Sequence, residues 1–354
     1  MENPVMKTSQ QLIGGFSIAE LLVALLISSI LMLGVVSLMT NSKRAYNVQN
    51  DTALVHENVR FTIDFLSSDL QMAGYFGCSR AIPRGKGIQT IIGIDNVNRA
   101  NFGSDANNSD VIMVSFLETN DNTFSVTHEA PTALNPTTLT PLKKGETSFS
   151  VTKRGELFVG DNVIASDCVG VSPIYNIAAI DDTQTTPQVT LSAALDRKYD
   201  NKGYSYGSEI RRLIVHRYFI GKNGETYSLF RDTPINSTTN NYDINQPLSV
   251  DPTKAEEIIQ GVENMQIRYL EGIDTDFDGE FDQFQYNTSN NVVLWNNVLA
   301  VRLTLLLSTL KERFDRDPDD KTYDIDRELG GNYDPPDDQR RRMIFTTTVK
   351  LRNK

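Results

Sequence analysis

The sequence predicts an α+β fold, with one long amino-terminal helix followed by an antiparallel, β-rich head. Three observations carry this expectation. Residues 21–39 read LLVALLISSILMLGVVSLM without a charge, and helical periodicity continues from Asn41 to Met72 with no Pro or Gly. From Ile88 onward, short runs rich in β-branched and aromatic residues are separated by clusters of Asn, Asp, Gly, Pro and Thr. Between two of those runs stands Lys222-Asn223-Gly224, and Asn-Gly suits the positive φ of a tight hairpin turn. A helix first and strands after, without alternation, is the α+β order.

The apolar run is 19 residues long. As a helix it spans roughly 28 Å, close to the ~30 Å hydrocarbon thickness of a bilayer. A secretory signal has a shorter apolar region and a small-residue cleavage site after it. Here Thr40-Asn41-Ser42-Lys43-Arg44-Ala45-Tyr46 follows instead, so the segment is expected to remain as an anchor. In the continuation, Leu54, Phe61, Phe65 and Met72 form one stripe at 3.6-residue spacing, and Val48, Val55, Val59, Leu66 and Leu70 form another beside it. His56, Glu57, Arg60 and Asp64 lie opposite. This arc predicts a spine on which a sheet packs, ended at Ala73-Gly74.

Strands are expected over 110–118, 147–152, 162–167, 174–180 and 188–192, then as a hairpin of 209–220 with 225–231. Later strands follow over 262–270, 298–308 and 344–351. Residues 254–259 read as a short helix, and 123–147 and 233–252 as long loops. Residues 315–338, DRDPDDKTYDIDRELGGNYDPPDD, read as a solvated acidic excursion between the last two strands.

Composition excludes several functions. At 39% hydrophobic and 22% charged, the chain is too apolar for disorder and too polar for a multispan membrane protein. With 34 basic against 45 acidic residues and a formal net charge of -11, and Arg340-Arg341-Arg342 as its one basic run, it is a poor nucleic-acid binder. No phosphate-cradling Gly-Lys-Ser/Thr, Gly-x-Ser-x-Gly, His-Glu-x-x-His or Cys-x-x-Cys motif occurs. His56, His128 and His216 are widely separated, and each is expected to be structural. A non-enzymatic protein is the expectation.

What precedes the apolar run is more specific. Gly14-Gly15-Phe16-Ser17-Ile18-Ala19-Glu20 leads directly into it, and a carboxylate beside a membrane helix is costly enough to be functional by default. These residues resemble the processing site of the prepilin family, Gly-Phe-x-x-x-Glu ahead of an apolar helix. The resemblance implies cleavage between Gly15 and Phe16 by a prepilin peptidase and N-methylation of Phe16. Glu20 would then pair with the amino terminus of a neighbouring subunit, a register device in a low-dielectric bundle. It divides the chain into a leader (1–15), a transmembrane segment (16–40), an amphipathic periplasmic helix (41–77) and a periplasmic head (78–354). Lys7 is the one basic residue of the leader; Met6-Lys7 offers an alternative translation start.

Gly74-Tyr75-Phe76-Gly77-Cys78, residues 262–269 and residues 340–353 resemble segments of PilW-type minor pilins. That likeness implies a subunit near the tip of a type IV pilus that helps prime assembly and supports pilus-dependent motility and adhesion. Its implied partners are other minor pilins, the major pilin, an inner-membrane assembly platform and a PilY-type tip adhesin. The implied location is the inner membrane, with the head in the periplasm, and later the pilus of a Gram-negative bacterium. A type II secretion pseudopilin of the J type and a membrane-anchored calcium-dependent adhesin are the alternatives.

Cys78 and Cys168 are the only cysteines. In an oxidising periplasm an even count favours a disulfide, closing a loop of roughly 90 residues worth about 4–5 kcal/mol in the chain-entropy model. Two buried thiols are the alternative. Asp274-Thr275-Asp276-Phe277-Asp278-Gly279-Glu280-Phe281-Asp282 places aspartates at alternate positions before a Gly, which matches the start of a calcium loop. Asp274, Asp276, Asp278, the Glu280 carbonyl and Asp282 are its candidate ligands. Gln285 stands where a bidentate Glu is usual, and the entering segment reads as strand, so the expectation is a calcium loop between strands; an acidic turn is the alternative.

Overall fold

The computed structural model describes residues 17–77, 86–97, 109–118, 124–125, 145–151, 157–166, 173–183, 187–195, 209–224, 226–236, 241–312, 317–326 and 331–353. They form two compact units, Met1–Leu54 and Val55–Lys354. One helix, α1 (Ile18–Met72), contributes to both. The apolar side chains from Leu21 to Met39 are all at least half exposed, and α1 is long and apolar enough to cross a membrane. Two of its hydroxyls bond back to the helix, Ser29 to the Leu26 carbonyl at 2.8 Å and Thr40 to the Val36 carbonyl at 2.8 Å. Neither therefore presents an unpaired donor to lipid.

The second unit is built from antiparallel strands, as expected of an α+β chain. The larger sheet contains β1 (Ile91–Val97), β2 (Ser109–Leu117), β3 (Phe124–Ser125), β4 (Ser148–Ser150), β5 (Asn162–Ser166), β6 (Ile174–Asp181), β7 (Gln188–Leu191), β8 (Glu209–Asn223), β9 (Thr226–Asp232) and β10 (Ala255–Gln260), with its main path β1-β2-β8-β5-β6-β7-β4. A four-stranded sheet has the order β12-β11-β13-β16, with β11 (Val262–Ile273), β12 (Gln283–Asn287), β13 (Val298–Ser308) and β16 (Arg342–Lys350). A small hairpin, β14 (Tyr323–Asp326) with β15 (Gly331–Tyr333), completes it.

Val55, Val59, Leu66, Leu70 and Ala73 of α1 share one core with Ile91, Ile112 and Val114 of the larger sheet and Met265, Ile267, Leu303 and Leu305 of the smaller. The helix is thus the spine the amphipathic pattern predicts, with Phe65 and Met72 of the other stripe partly buried against the same core. Phe61, in the other stripe, is 56% exposed, because the buried arc is centred on Val59 and Leu66 and includes Thr62. β2 is buried along its whole length. Its even-numbered residues Ile112, Val114 and Phe116 face the helix core, and Val111, Met113 and Leu117 face a second core with Phe219 and Phe230. Two-sided burial explains why that strand reads as a continuous apolar run. The end of α1 is closed by Gly74 at φ 78 and by the Asn353 amide, which donates to the Gln71 carbonyl at 3.2 Å.

Three expectations are corrected. Residues 254–259 are not helical: Asp251 accepts the Thr253 N–H at 2.9 Å and makes a tight turn. β10 then pairs with β9, where Glu256 meets Arg231 at 2.6 Å; cross-strand pairing overrides the weak helical preference of Ala-Glu-Glu. β1 and β12 were not expected, since Gly, Asp, Asn and Gln dilute their apolar pattern. The 315–338 excursion is not simply solvated. Ile325 and Tyr333 of the small hairpin bury against Leu306, and Asp319 and Asp338 bond Arg342 at 3.2 and 2.7 Å.

Candidate functional site

Of the predicted processing residues, Gly15 and Phe16 lie outside the described residues, as do Cys78, Cys168 and His128. Glu20 is described, and its contacts are local. Its carboxylate accepts the Ser17 N–H at 3.0 Å while the Ser17 hydroxyl accepts the Glu20 N–H at 3.3 Å. This reciprocal capping box satisfies two of the orphan donors at the start of α1, and the negative charge sits at the positive end of the helix dipole. The signal, Ser-x-x-Glu before an apolar run, is present in the sequence.

The acidic loop between β11 and β12 brings Asp274, Asp276 and Asp282 together, each offering an oxygen within 4.8 Å of the others. Backbone amides fix these carboxylates. Asp274 accepts the N–H groups of Phe277 and Gly279 at 2.7 and 3.0 Å. Asp282 accepts both the N–H and the hydroxyl of Thr275 at 2.7 and 2.6 Å, and the hydroxyl above all holds its carboxyl below the ordinary value. Asp278 is not part of the group: it accepts the Glu280 N–H at 2.7 Å, as a turn residue does. Three carboxylates with preset geometry suit a hard cation with oxygen ligands.

Sequence reasoning missed the buried charges of the head. His216 Nδ1 and the Tyr218 hydroxyl both bond one oxygen of Asp69, each at 2.5 Å, tying α1 to β8; this supports the structural reading of His216. His56 rests edge-on against Phe345 at 5.6 Å. The buried Glu271 accepts the Leu294 N–H at 2.7 Å and the Asn287 amide at 2.8 Å, bracing the chain after β12.

Asp110 links the two sheets. It accepts the Asn96 N–H at 2.9 Å and, from β11, the Ile267 N–H at 2.7 Å. Burial pushes its carboxyl up to about 7, against the pull of those two donors; Asp95 adds to the rise and Arg268 opposes it. The folded head therefore holds a proton that the unfolded chain, near 3.8, has released. This contribution to stability is complete below the unfolded value and is lost as pH rises to about 7. Denaturant titrations of the full chain at pH 5, 6 and 7 should show stability falling with pH from this group, by about 1.4 kcal/mol per pH unit between 5 and 6 and less steeply towards 7, a trend absent in Asp110→Asn. An unchanged slope in the variant would count against the assignment.

Alongside α1, Phe61, Phe65, Ile258, Ile259 and Leu310 line a groove of about 500 Å³ with Glu256 and Glu257 at its rim. The Arg231 guanidinium lies 4.9 Å from the Phe65 ring centre.

Residues 217–353 match the family model of type IV pilus-assembly protein W. The match begins within β8 and takes in the β8–β9 hairpin, the whole four-stranded sheet and the acidic excursion. No curated protein matches the chain.

Proposed function

We propose that this chain, whose residues 217–353 match the family model of type IV pilus-assembly protein W, is a minor pilin: a structural and interaction subunit, not an enzyme. The observation that carries the reading is a membrane-length helix, opened by Ser17 and Glu20, in the same chain as a PilW-type head. On this reading the leader is removed between Gly15 and Phe16, Phe16 is methylated, and the head is held in the periplasm by the membrane helix. The subunit enters the pilus at or near its tip with other minor pilins and the major pilin, extracted from the inner-membrane platform, and it adjoins a PilY-type adhesin. The exposed Phe61 and its groove supply a surface for a neighbouring subunit's helix.

Replacing Gly15 with Trp should abolish processing, so that intact mass retains the leader; normal maturation of that variant would count heavily against the account. Loss of surface fibres on deletion supports the pilus role. Loss of protein secretion with fibres intact would favour the pseudopilin, and reduced attachment alone the adhesin. The reading also includes a disulfide between Cys78 and Cys168, and a calcium ion at Asp274, Asp276 and Asp282, where close carboxylates repel one another without a cation. Calorimetry at millimolar calcium should detect binding that Asp276→Asn weakens at least tenfold; absence of heat would remove calcium from the proposal.

A further inference from the structure

The corner of the head that carries β12 keeps apolar surface that folding does not use. Phe277 is 91% exposed and Phe284 59% exposed. Phe281 lies over Gly272, where a Cβ would come within 2.6 Å of its ring, and meets Phe284 edge-on at 6.4 Å. Phe277 also has φ 63, a left-handed conformation uncommon for a bulky residue and one that persists where surrounding structure enforces it. Here the Asp274 carboxylate enforces it through the Phe277 N–H. An aromatic side chain held under strain in water adds nothing to the core.

β12 ends its sheet. Among the described residues it pairs with β11 alone, over five residues from Tyr269↔Asn287 to Ile273↔Gln283 without a register shift. Among the described residues its other edge therefore has no strand partner. Proteins usually protect such an edge with Lys, Pro, a bulge or an inward-pointing charge. Gln-Phe-Gln-Tyr-Asn carries none of these. Charge is uneven as well: Arg302 of β13 stacks on Tyr286 at 3.6 Å, but no Lys or Arg occurs from Tyr269 to Val301, and Asp274, Asp276, Asp278, Glu280 and Asp282 crowd the adjoining loop.

We propose that this corner is a docking surface for an extended, basic and apolar segment of a partner protein, added as a strand to β12. Alternate side chains of that segment would contact Phe284 and Phe277, and its Lys or Arg residues would meet the loop carboxylates, the usual division between backbone affinity and side-chain specificity in strand addition. Charge decides against the other occupants. A second copy of β12 would bring the same carboxylates into opposition, and an anionic membrane surface would be repelled by them. The proposal stands independently of the pilus reading.

The test uses the full chain in detergent micelles, with a chelator present so that the loop keeps its charge. The probe is a labelled eight-residue peptide of alternating Lys and Val, followed by fluorescence anisotropy. Saturable binding is expected, weakened at least tenfold by Phe284→Ser and by the pair Asp278→Asn, Glu280→Gln, with the melting temperature of each variant unchanged. A Glu–Val peptide should not bind. N-methylation of every second residue should abolish binding in one of its two phases, because it blocks the backbone while sparing the side chains. The proposal falls if the Lys–Val peptide shows no saturable binding, if the Glu–Val peptide binds equally or if neither N-methylated peptide is weakened. It also falls if Phe284→Ser binds like the parent, or if Phe284 instead drives self-association without peptide.

Discussion

Arg342→Ala should cost the head about 3–5 kcal/mol, the usual penalty for stripping one partner from a buried ion pair. The side chain is fully buried. Its guanidinium bonds both oxygens of Glu263 at 2.7 and 3.2 Å, both oxygens of Asp338 at 2.7 and 2.8 Å, and Asp319 at 3.2 Å. Removing it takes the shared cation from three carboxylates, of which Asp338 keeps Arg340 at 3.6 Å and Glu263 is only 2% exposed on β11. The cost comes from that stranded charge more than from lost attraction. The double variant Arg342→Met, Glu263→Gln should therefore recover much of the loss. The hairpin of β14 and β15 should also open, since Asp319, Asp338 and the buried Ile325 and Tyr333 flank the same anchor. Chemical denaturation reads the first effect, and limited proteolysis across 317–338 reads the second. A loss below about 1 kcal/mol would show the cluster to be electrostatically idle.

The second large effect is steric. Gly93 of β1 has no side chain where a Cβ would sit 1.9 Å from the Tyr269 hydroxyl and 2.7 Å from its ring carbon Cζ. Tyr269 is fully buried and packs edge-on against Trp295 at 4.8 Å. It cannot withdraw, and Gly93 is held in register opposite Ile112. Gly93→Ala should destabilise the head by about 3 kcal/mol, at the upper end of overpacking costs, in urea denaturation. Tyr269→Phe alone should be neutral or stabilising by up to ~1 kcal/mol. Its hydroxyl has no hydrogen-bonding partner among the described residues, and a buried unpaired group is a liability. A Gly93→Ala variant as stable as the parent would contradict this packing.

Much of the architecture is legible in the residues themselves. A strand expected over 298–308 is β13 to the residue, because its apolar run is long and bounded by turn formers. The β8–β9 hairpin follows from Asn223-Gly224, with Gly224 at φ 65. The helix end is where Ala73-Gly74 places it. Elements that depend on distant neighbours are not legible. β10 is a strand because β9 lies beside it, and Arg342 belongs to a run of three arginines whose partner, Glu263, stands 79 positions away. The candidate sites divide in the same way. Ser17 and Glu20 are a local signature; Asp274, Asp276 and Asp282 converge as their alternation suggests. Asp278 breaks the alternation because its own turn claims its carboxylate. Asp110 looks like any aspartate, and only the approach of a second sheet makes it special.

The Asn353 amide at the end of α1 sets an order of events. Its closest acceptor is 282 positions earlier in the chain, among the longest loops this fold must close. Synthesis proceeds from the amino terminus, so the apolar helix is exposed and available to a bilayer long before residue 353 exists. The head cannot finish around α1 until then, and contacts of such separation form slowly. On the membrane-anchor reading proposed above, anchoring precedes completion of the head, and the chain matures while tethered, with its diffusion already confined to a surface.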